Sequence, residues 1–314
     1  MTAAVLSLPL PSAAQQRRPY RIAVVTITSA QSSAHLRAAF EDGLRQRGYV
    51  IGRDVVVEVR SAEGDRELYP KLIAEVVRSK PDVILTGVNA NTTPAAAATK
   101  SIPIVFAVGT EVIKSGFAQS LGRPGGNLTG ITWDVGDALA AKRFELFKEM
   151  VPKISRVAVL WEPPYGQQYR GPTDAAARIL GLTTFWREYS GDLEADFTEI
   201  ARGGADGVYL HHGVGLFSRR SEVAAVATRH RLPTACGSAE LVDAGALMSY
   251  GPNLADSFRQ AASHVDKILK GAKPADLPVE QPTKIELAVN AGTAKTLGLA
   301  LPPSLRLRVD KLVE

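Results

Sequence analysis

Short apolar runs recur along the chain, each followed by a polar loop and then an apolar set at helical spacing. Arg21–Thr26 (RIAVVT), Val83–Val88 and Pro103–Val108 are continuous runs, the pattern of strands buried on both faces of a parallel sheet. Val55, Val57 and Val59 instead alternate with Val56, Glu58 and Arg60, which predicts a strand with one wet face near a sheet edge. Between the strands, Leu36, Phe40 and Leu44 mark one helix face, and Gly48 stops that helix. Leu68–Val77 reads as a second helix with Leu68, Leu72 and Val76 turned inward. Leu121–Thr132 (LGRPGGNLTGIT) reads as a Pro-Gly-Gly turn, a short strand and a domain boundary.

After a helix at Ala138–Met150 the pattern begins again. Arg156–Trp161 (RVAVLW) echoes Arg21–Thr26, Ala205–His211 echoes Pro81–Gly87, and Leu232–Gly237 echoes Ile102–Ala107. Helices intervene at Asp174–Leu180, Leu193–Ala201 and Ser218–His230. Two halves with one strand order imply an α/β protein of two similarly built lobes. Ala246–Tyr250 is a last short strand, and Leu254, Phe258, Ala261, Val265, Ile268 and Leu269 form the stripe of a long helix ended by Gly271. Lys273–Thr283, with three prolines, reads as an extended linker before a strand at Ile285–Val289 and a helix at Ala291–Leu297.

The stretch Val83–Gly109 concentrates the candidate chemistry. Asn89, Asn91, Thr92 and Thr93 form a polar loop, and Pro94 suits the first helical position, with Thr92 or Thr93 as N-cap. The free N–H groups of Thr93–Ala95 would then receive a carboxylate. Ligands of open parallel sheets sit beyond the carboxyl ends of the strands. Two facing lobes would set Thr28–Ser33 (with Ser29, Gln31 and Ser32), Asn89–Thr93 and Thr110 with Glu111 opposite Glu162–Gln168, His211–Gly215, and Gly237 with Ser238 and Glu240. Trp161, Tyr165 and Tyr169 would supply an aromatic wall, with Tyr250 and Asn253 near the hinge. That mixture suits a ligand with charged ends and a flat apolar body, whose stacking on a ring adds about 1 kcal/mol to area burial. Glu111, Asp134, Glu162 and Glu240 are candidate partners for an ammonium group. Each of these residues also has a plainer reading as a cap or as core. His211 and His212 point to opposite faces at a strand end, so His212 is read as a hydrogen-bonding wall residue and not as a metal ligand.

Composition narrows the classes. The chain of 314 residues has 37 Lys and Arg against 32 Asp and Glu, a net charge of +5, and no basic run of nucleic-acid type. One cysteine, Cys236, excludes an internal disulfide and a cysteine-built zinc site. No nucleophile elbow, phosphate loop, dinucleotide fingerprint or His-Glu-x-x-His appears, so no catalytic residue, cofactor or metal is assigned. Met1–Gln16 resembles the apolar core and small-residue cleavage site of a secretory signal, cut after Ala14, which predicts a soluble protein outside the cytoplasmic membrane.

Several of these segments carry a resemblance: LGRPGGNLTGIT at 121–132, GALMSYGPNLADSFRQAASHVDKILKGAKPADLPVEQPTKIELAVN at 245–290 and TAKTLGLALPPSL at 293–305, with RVAVLWEP at 156–163 and RHRLPTACGSAELVDAG at 229–245. The chain resembles a substrate-binding protein of an ABC importer, in the branch that includes tryptophan- and tyrosine-binding proteins. The resemblance implies a type I periplasmic-binding fold: two Rossmann-like parallel-sheet lobes joined by three hinge crossings. Residues 1–18 are then signal peptide and leader, 19–130 with 251–280 the first lobe, and 131–250 with 281–314 the second. It implies a small amino-acid-like ligand, with aromatic ones among the candidates, a permease and its ATPase as partners, a periplasmic monomer or weak dimer, and no catalysis. A sensor of the same fold for another carboxylate, a nucleobase or a sugar, and an α/β enzyme, are the alternatives. Gly109-Thr110-Glu111-Val112 stands where relatives have Gly-Asp-Pro-Val, which leaves Glu162 or Glu111 to replace a lost ammonium partner.

Overall fold

A computed structural model describes residues 18–133, 137–163, 166–211 and 213–314, and of 137, 138 and 168 the backbone only. The leader with its cleavage point after Ala14, as well as Asp134, Tyr165 and His212, lie outside the described residues.

The first sheet is built from β1 (Tyr20–Thr26), β2 (Val55–Ser61), β3 (Val83–Thr86), β4 (Ile104–Gly109) and β5 (Leu128–Thr132), in the order β2-β1-β3-β4-β5, all parallel. The second takes β6 (Arg156–Trp161), β7 (Thr183–Glu188), β8 (Gly207–Leu210), β9 (Thr234–Cys236), β10 (Met248–Pro252), β11 (Ile285–Asn290) and β12 (Lys311–Val313), in the order β12-β11-β10-β9-β8-β6-β7. The run β7-β6-β8-β9 thus repeats β2-β1-β3-β4, as the echo in the sequence predicts. One acid does the same work in both copies. The backbone N–H of Arg21 donates to Asp82 at 2.7 Å, and that of Arg156 to Asp206 at 2.9 Å, each joining the first strand of a lobe to the third. β11 departs from the repeat by running antiparallel to β10. The alternating valines place β2 at an edge, as expected.

Twelve helices are described: α1 (Ala34–Arg45), α2 (Tyr69–Ser79), α3 (Asn89–Ala98), α4 (Asp137–Met150), α5 (Arg170–Ile179), α6 (Leu193–Arg202), α7 (Val214–Ser218), α8 (Arg220–Arg229), α9 (Ala239–Asp243), α10 (Leu254–Leu269), α11 (Ala291–Thr296) and α12 (Pro303–Arg306). The chain leaves the first sheet after Thr132 for α4, which packs on the second. It returns after Pro252, where α10 lies against α1 through Leu36, Phe40, Leu44, Phe258, Ala261 and Val265. Gly43 permits this approach, because a Cβ there would stand 2.6 Å from the Arg259 carbonyl. It crosses a third time between Glu280 and β11. The proline-rich stretch before that crossing is not a free linker: a turn at Pro274–Asp276 leads into a segment paired with β5, through Thr132 N–H to Glu280 O at 2.8 Å and Glu280 N–H to Gly130 O at 2.9 Å.

Two helices differ from the pattern reading. α2 turns Tyr69, Ile73 and Val76 inward, while Leu68 stands before the helix as its N-cap and is exposed; the turn there is held by the N–H groups of Glu67 and Leu68 donating to the Asp65 carboxylate. α3 begins at Asn89, directly after an extended Val88, and not at Pro94. Pro94 is its sixth residue and forfeits one helical hydrogen bond. Tertiary contacts hold the earlier start: Thr92 Oγ1 meets Thr86 Oγ1 at 2.8 Å, and Asn89 is tied to the backbone of Thr110.

Candidate functional site

The carboxyl ends of both sheets enclose a cavity of about 440 Å³. All six loops expected around the cleft contribute. From the first lobe come Thr28, Ala30 and Ser33, then Asn89 and Asn91, then Thr110 and Glu111; from the second come Glu162, Pro163 and Tyr169, then His211, Gly213 and Val214, then Gly237 and Ser238.

Asn89 shapes one wall. Its amide mimics a peptide: Nδ2 donates to Thr110 O at 2.7 Å and Oδ1 accepts Thr110 N–H at 2.9 Å. The side chain therefore clamps the loop after β4 to the start of α3, and both of its polar ends are spent. Asn91, two residues on, is 4% exposed, and its Nδ2 has no partner. Across the cavity the Ser238 hydroxyl, 1% exposed, is likewise unpartnered.

Glu162 is the buried acid of the site, at 7% exposure. Gly213 and the short α7 place two N–H groups on its Oε2, Gly215 at 2.7 Å and Leu216 at 3.3 Å. Its Oε1 receives the Arg66 guanidinium from the first lobe. Glu162 is consequently not an idle ammonium partner, as expected from sequence, but a bridge between lobes. Phe217 of α7 completes the contact by packing against the cores of both lobes.

Arg143, on α4, is positioned by neutral acceptors. Its Nε donates to Tyr250 O at 2.6 Å and its Nη1 to the Tyr209 hydroxyl at 3.1 Å. Gly251 lies alongside, where a Cβ would come within 3.2 Å of Nη2. The apolar walls are Trp133, Leu36, Leu254 and Phe258 on one side and Tyr169, Tyr209 and His211 on the other. Trp133 is oriented by its indole N–H donating to Ser257 Oγ at 2.9 Å. The Tyr169 and His211 rings lie 5.1 Å apart, and Tyr209 meets His211 edge-on at 6.3 Å. Cys236 also lines the cavity, and burial pushes its thiol up to about 12.

Several expected residues fall elsewhere. Trp161 alternates with Glu162 along the chain, so a carboxylate facing the cavity turns the indole away from it. Tyr250 contributes its carbonyl to Arg143, while its ring packs in the second-lobe core. Asn253 caps α10, accepting Asp256 N–H at 2.8 Å and donating to Glu286 at 2.9 Å. Ser29 and Ser32 bond to each other at 2.9 Å, and Gln31 is exposed. Thr92 is consumed by Thr86, and Thr93 is exposed because the earlier helix start rotates it outward. The predicted carboxylate seat at Thr93–Ala95 is therefore inside the helix.

Arg66, Trp133, Arg143, Tyr209 and Phe217 were not anticipated. The loop after β2 opens on the same sheet edge as the other strand–helix loops, and Arg66 is its cation; that was the available signal. Arg143 stands immediately before the inward Phe144, four residues after Leu139, which places a cation beside an apolar helix face. Among the described residues no cluster of His, Cys, Asp and Glu could hold a metal ion, and no helix is long and apolar enough to cross a membrane.

Comparison with known proteins agrees with this architecture. A tyrosine-binding protein of Clostridioides difficile is 23% identical over 273 residues, covering 84% of this chain and 76% of the relative. A conserved domain protein from Vibrio cholerae superposes with a TM-score of 0.86 at 24% identity, covering 94% of this chain and 100% of its own. An ABC domain from Streptococcus pneumonia in complex with L-Trp gives 0.85 at 22% identity, with the same coverages. Residues 21–313 match the family described as ABC transporter substrate binding protein, and the chain belongs to that family.

Proposed function

We propose that this protein works outside the cytoplasmic membrane, where it captures a small organic solute between its lobes and delivers it unchanged to a permease driven by an ATPase. The observation that carries the reading is the enclosed cavity, whose 440 Å³ lies within the roughly 300–1,000 Å³ of small-molecule sites. Its walls alternate aromatic and aliphatic surface with a few fixed polar groups, which suits a flat apolar body ending in a carboxylate. The relatives named for tyrosine and crystallised with L-Trp support an aromatic, amino-acid-like solute. Hinge rotation about the three crossings would admit the ligand and let it leave. A sensor of the same fold would use the same cavity without a permease. Trp133 lines the cavity, so tryptophan fluorescence titrated with aromatic amino acids and aromatic carboxylates tests the proposal. Saturable quenching or enhancement with one class is expected. No saturable change with any, together with no rise in melting temperature, would overturn it.

A further inference from the structure

The charges on the cavity wall do not cancel from within. Glu162 is engaged at both oxygens by Arg66 and by two N–H groups of α7. Glu111 already accepts Lys114 Nζ at 3.2 Å. Arg37 lies 3.6 Å from Glu41 on its own helix. Arg143 differs from all of these: both of its hydrogen bonds go to neutral oxygens, and among the described residues no carboxylate lies within ion-pair distance. It is half-buried, beside the cavity end of β9, where Gly237 and Ser238 stand. A cation drawn out of water without a counter-ion is unfavourable, so something that enters the cavity must supply the negative charge. The idle polar atoms of the lining residues Asn91 and Ser238 agree, whereas the one idle buried carboxylate oxygen among the described residues, Glu240 Oε2, belongs to a residue outside the lining. Asn91 Nδ2 is a donor only, Arg143 is a donor only, and the Ser238 hydroxyl can donate. Of the two lining carboxylates, Glu162 is engaged at both oxygens and Glu111 is paired with Lys114, while Glu240, outside the lining, faces His35 at 3.7 Å.

We propose that the ligand is a net anion, an aromatic or arylalkyl monocarboxylate without an amine, and that Arg143 receives its carboxylate. The inference rests on the reading of this cavity as the solute site and narrows it: the amino-acid relatives would be zwitterion binders, and this chain a binder of des-amino acids. Arg143 can offer two parallel N–H donors to a carboxylate.

Calorimetric titration with five probes tests it: indole-3-propionate, its neutral amide, L-tryptophan, 3-phenylpropionate and L-phenylalanine. The des-amino acids should bind about tenfold or more tighter than the matching amino acids. Arg143→Gln should weaken the two acids about 30-fold or more while leaving the amide within about threefold, and Arg143→Lys, which keeps the charge but not the paired donors, should restore only part of the loss. Tighter binding of either amino acid than of its des-amino partner overturns this inference and leaves the solute-capture reading standing. An equal loss for acid and amide in Arg143→Gln, at unchanged melting temperature, overturns the role of Arg143. Binding of none of the five to the folded protein overturns both readings.

Discussion

The Arg66 guanidinium of the first lobe reaches across the cleft to the Glu162 carboxylate of the second, and that carboxylate is already held by the N–H groups of Gly215 and Leu216. One buried acid thus orders the cavity wall and fastens the lobes together. Arg66 is 40% exposed, so the pair itself contributes only about 0.2–1 kcal/mol to closure, and less at high salt. Arg66→Gln should therefore raise the ligand dissociation rate by up to about fivefold with little change in association rate. Glu162→Gln should do more, because it also replaces the acceptor of two N–H groups with an amide. Stopped-flow fluorescence at low and high salt checks this; an unchanged dissociation rate in both variants would contradict it.

Asn89 acts on the opposite wall as a peptide mimic. Asn89→Asp exchanges the donor that meets Thr110 O for an acceptor, setting two oxygens against each other at the present 2.7 Å. The cost expected for one unmet buried group is about 1–3 kcal/mol, a lower urea midpoint with an unchanged slope. Asn89→Ala should lose stability as well, since Thr110 N–H loses its acceptor and Thr110 O keeps only the Ser115 hydroxyl at 3.3 Å.

His264 is fully buried in α10, with Nε2 facing the Pro278 carbonyl at 3.0 Å, while Glu280 and Lys267 stand beside it. Burial, the largest influence, lowers its pKa below the usual 6.5, against the raising effects of the Pro278 carbonyl and Glu280; Lys267 adds to the lowering. The unfolded chain therefore takes up a proton first as pH falls. The contribution of neutral His264 is intact above about pH 6.5 and declines below it, down to the depressed pKa of the folded state. Urea midpoints between pH 8 and pH 5 should show that decline, and His264→Gln should flatten it.

Cys236 faces the cavity but is 2% exposed, and its thiol, raised to about 12 by burial, is almost entirely protonated near neutrality. An aromatic disulfide reagent at pH 8 should label the native protein at least about 100-fold more slowly than the protein in guanidinium, since the thiolate is the reactive form. Rapid labelling of the native state would contradict the burial described.

The architecture was legible because parallel strands buried on both faces leave continuous apolar runs. The runs at Arg21 and Arg156 match even to the arginine that meets Asp82 or Asp206. The loops around the cavity followed from strand direction alone, and all six contribute. What was not legible was phase. A shift of α3 by five residues moved Thr92 and Thr93 off the wall, and Pro94 pointed the wrong way because the bonds of Asn89 to Thr110 outweigh the local preference. Trp161 was lost to the two-residue alternation at the end of β6. Arg143 is aimed by Tyr209 and Tyr250, and Trp133 by Ser257, partners distant in sequence that no local pattern records.

Native mass spectrometry tests the central claim most directly. Protein incubated with a des-amino aromatic acid should carry one ligand per chain, and denaturation should release that ligand at unchanged mass. Arg143→Gln should carry markedly less under the same conditions. Several ligands per chain, an occupancy indifferent to Arg143, or a released molecule of altered mass would contradict the capture of one unaltered guest between the lobes.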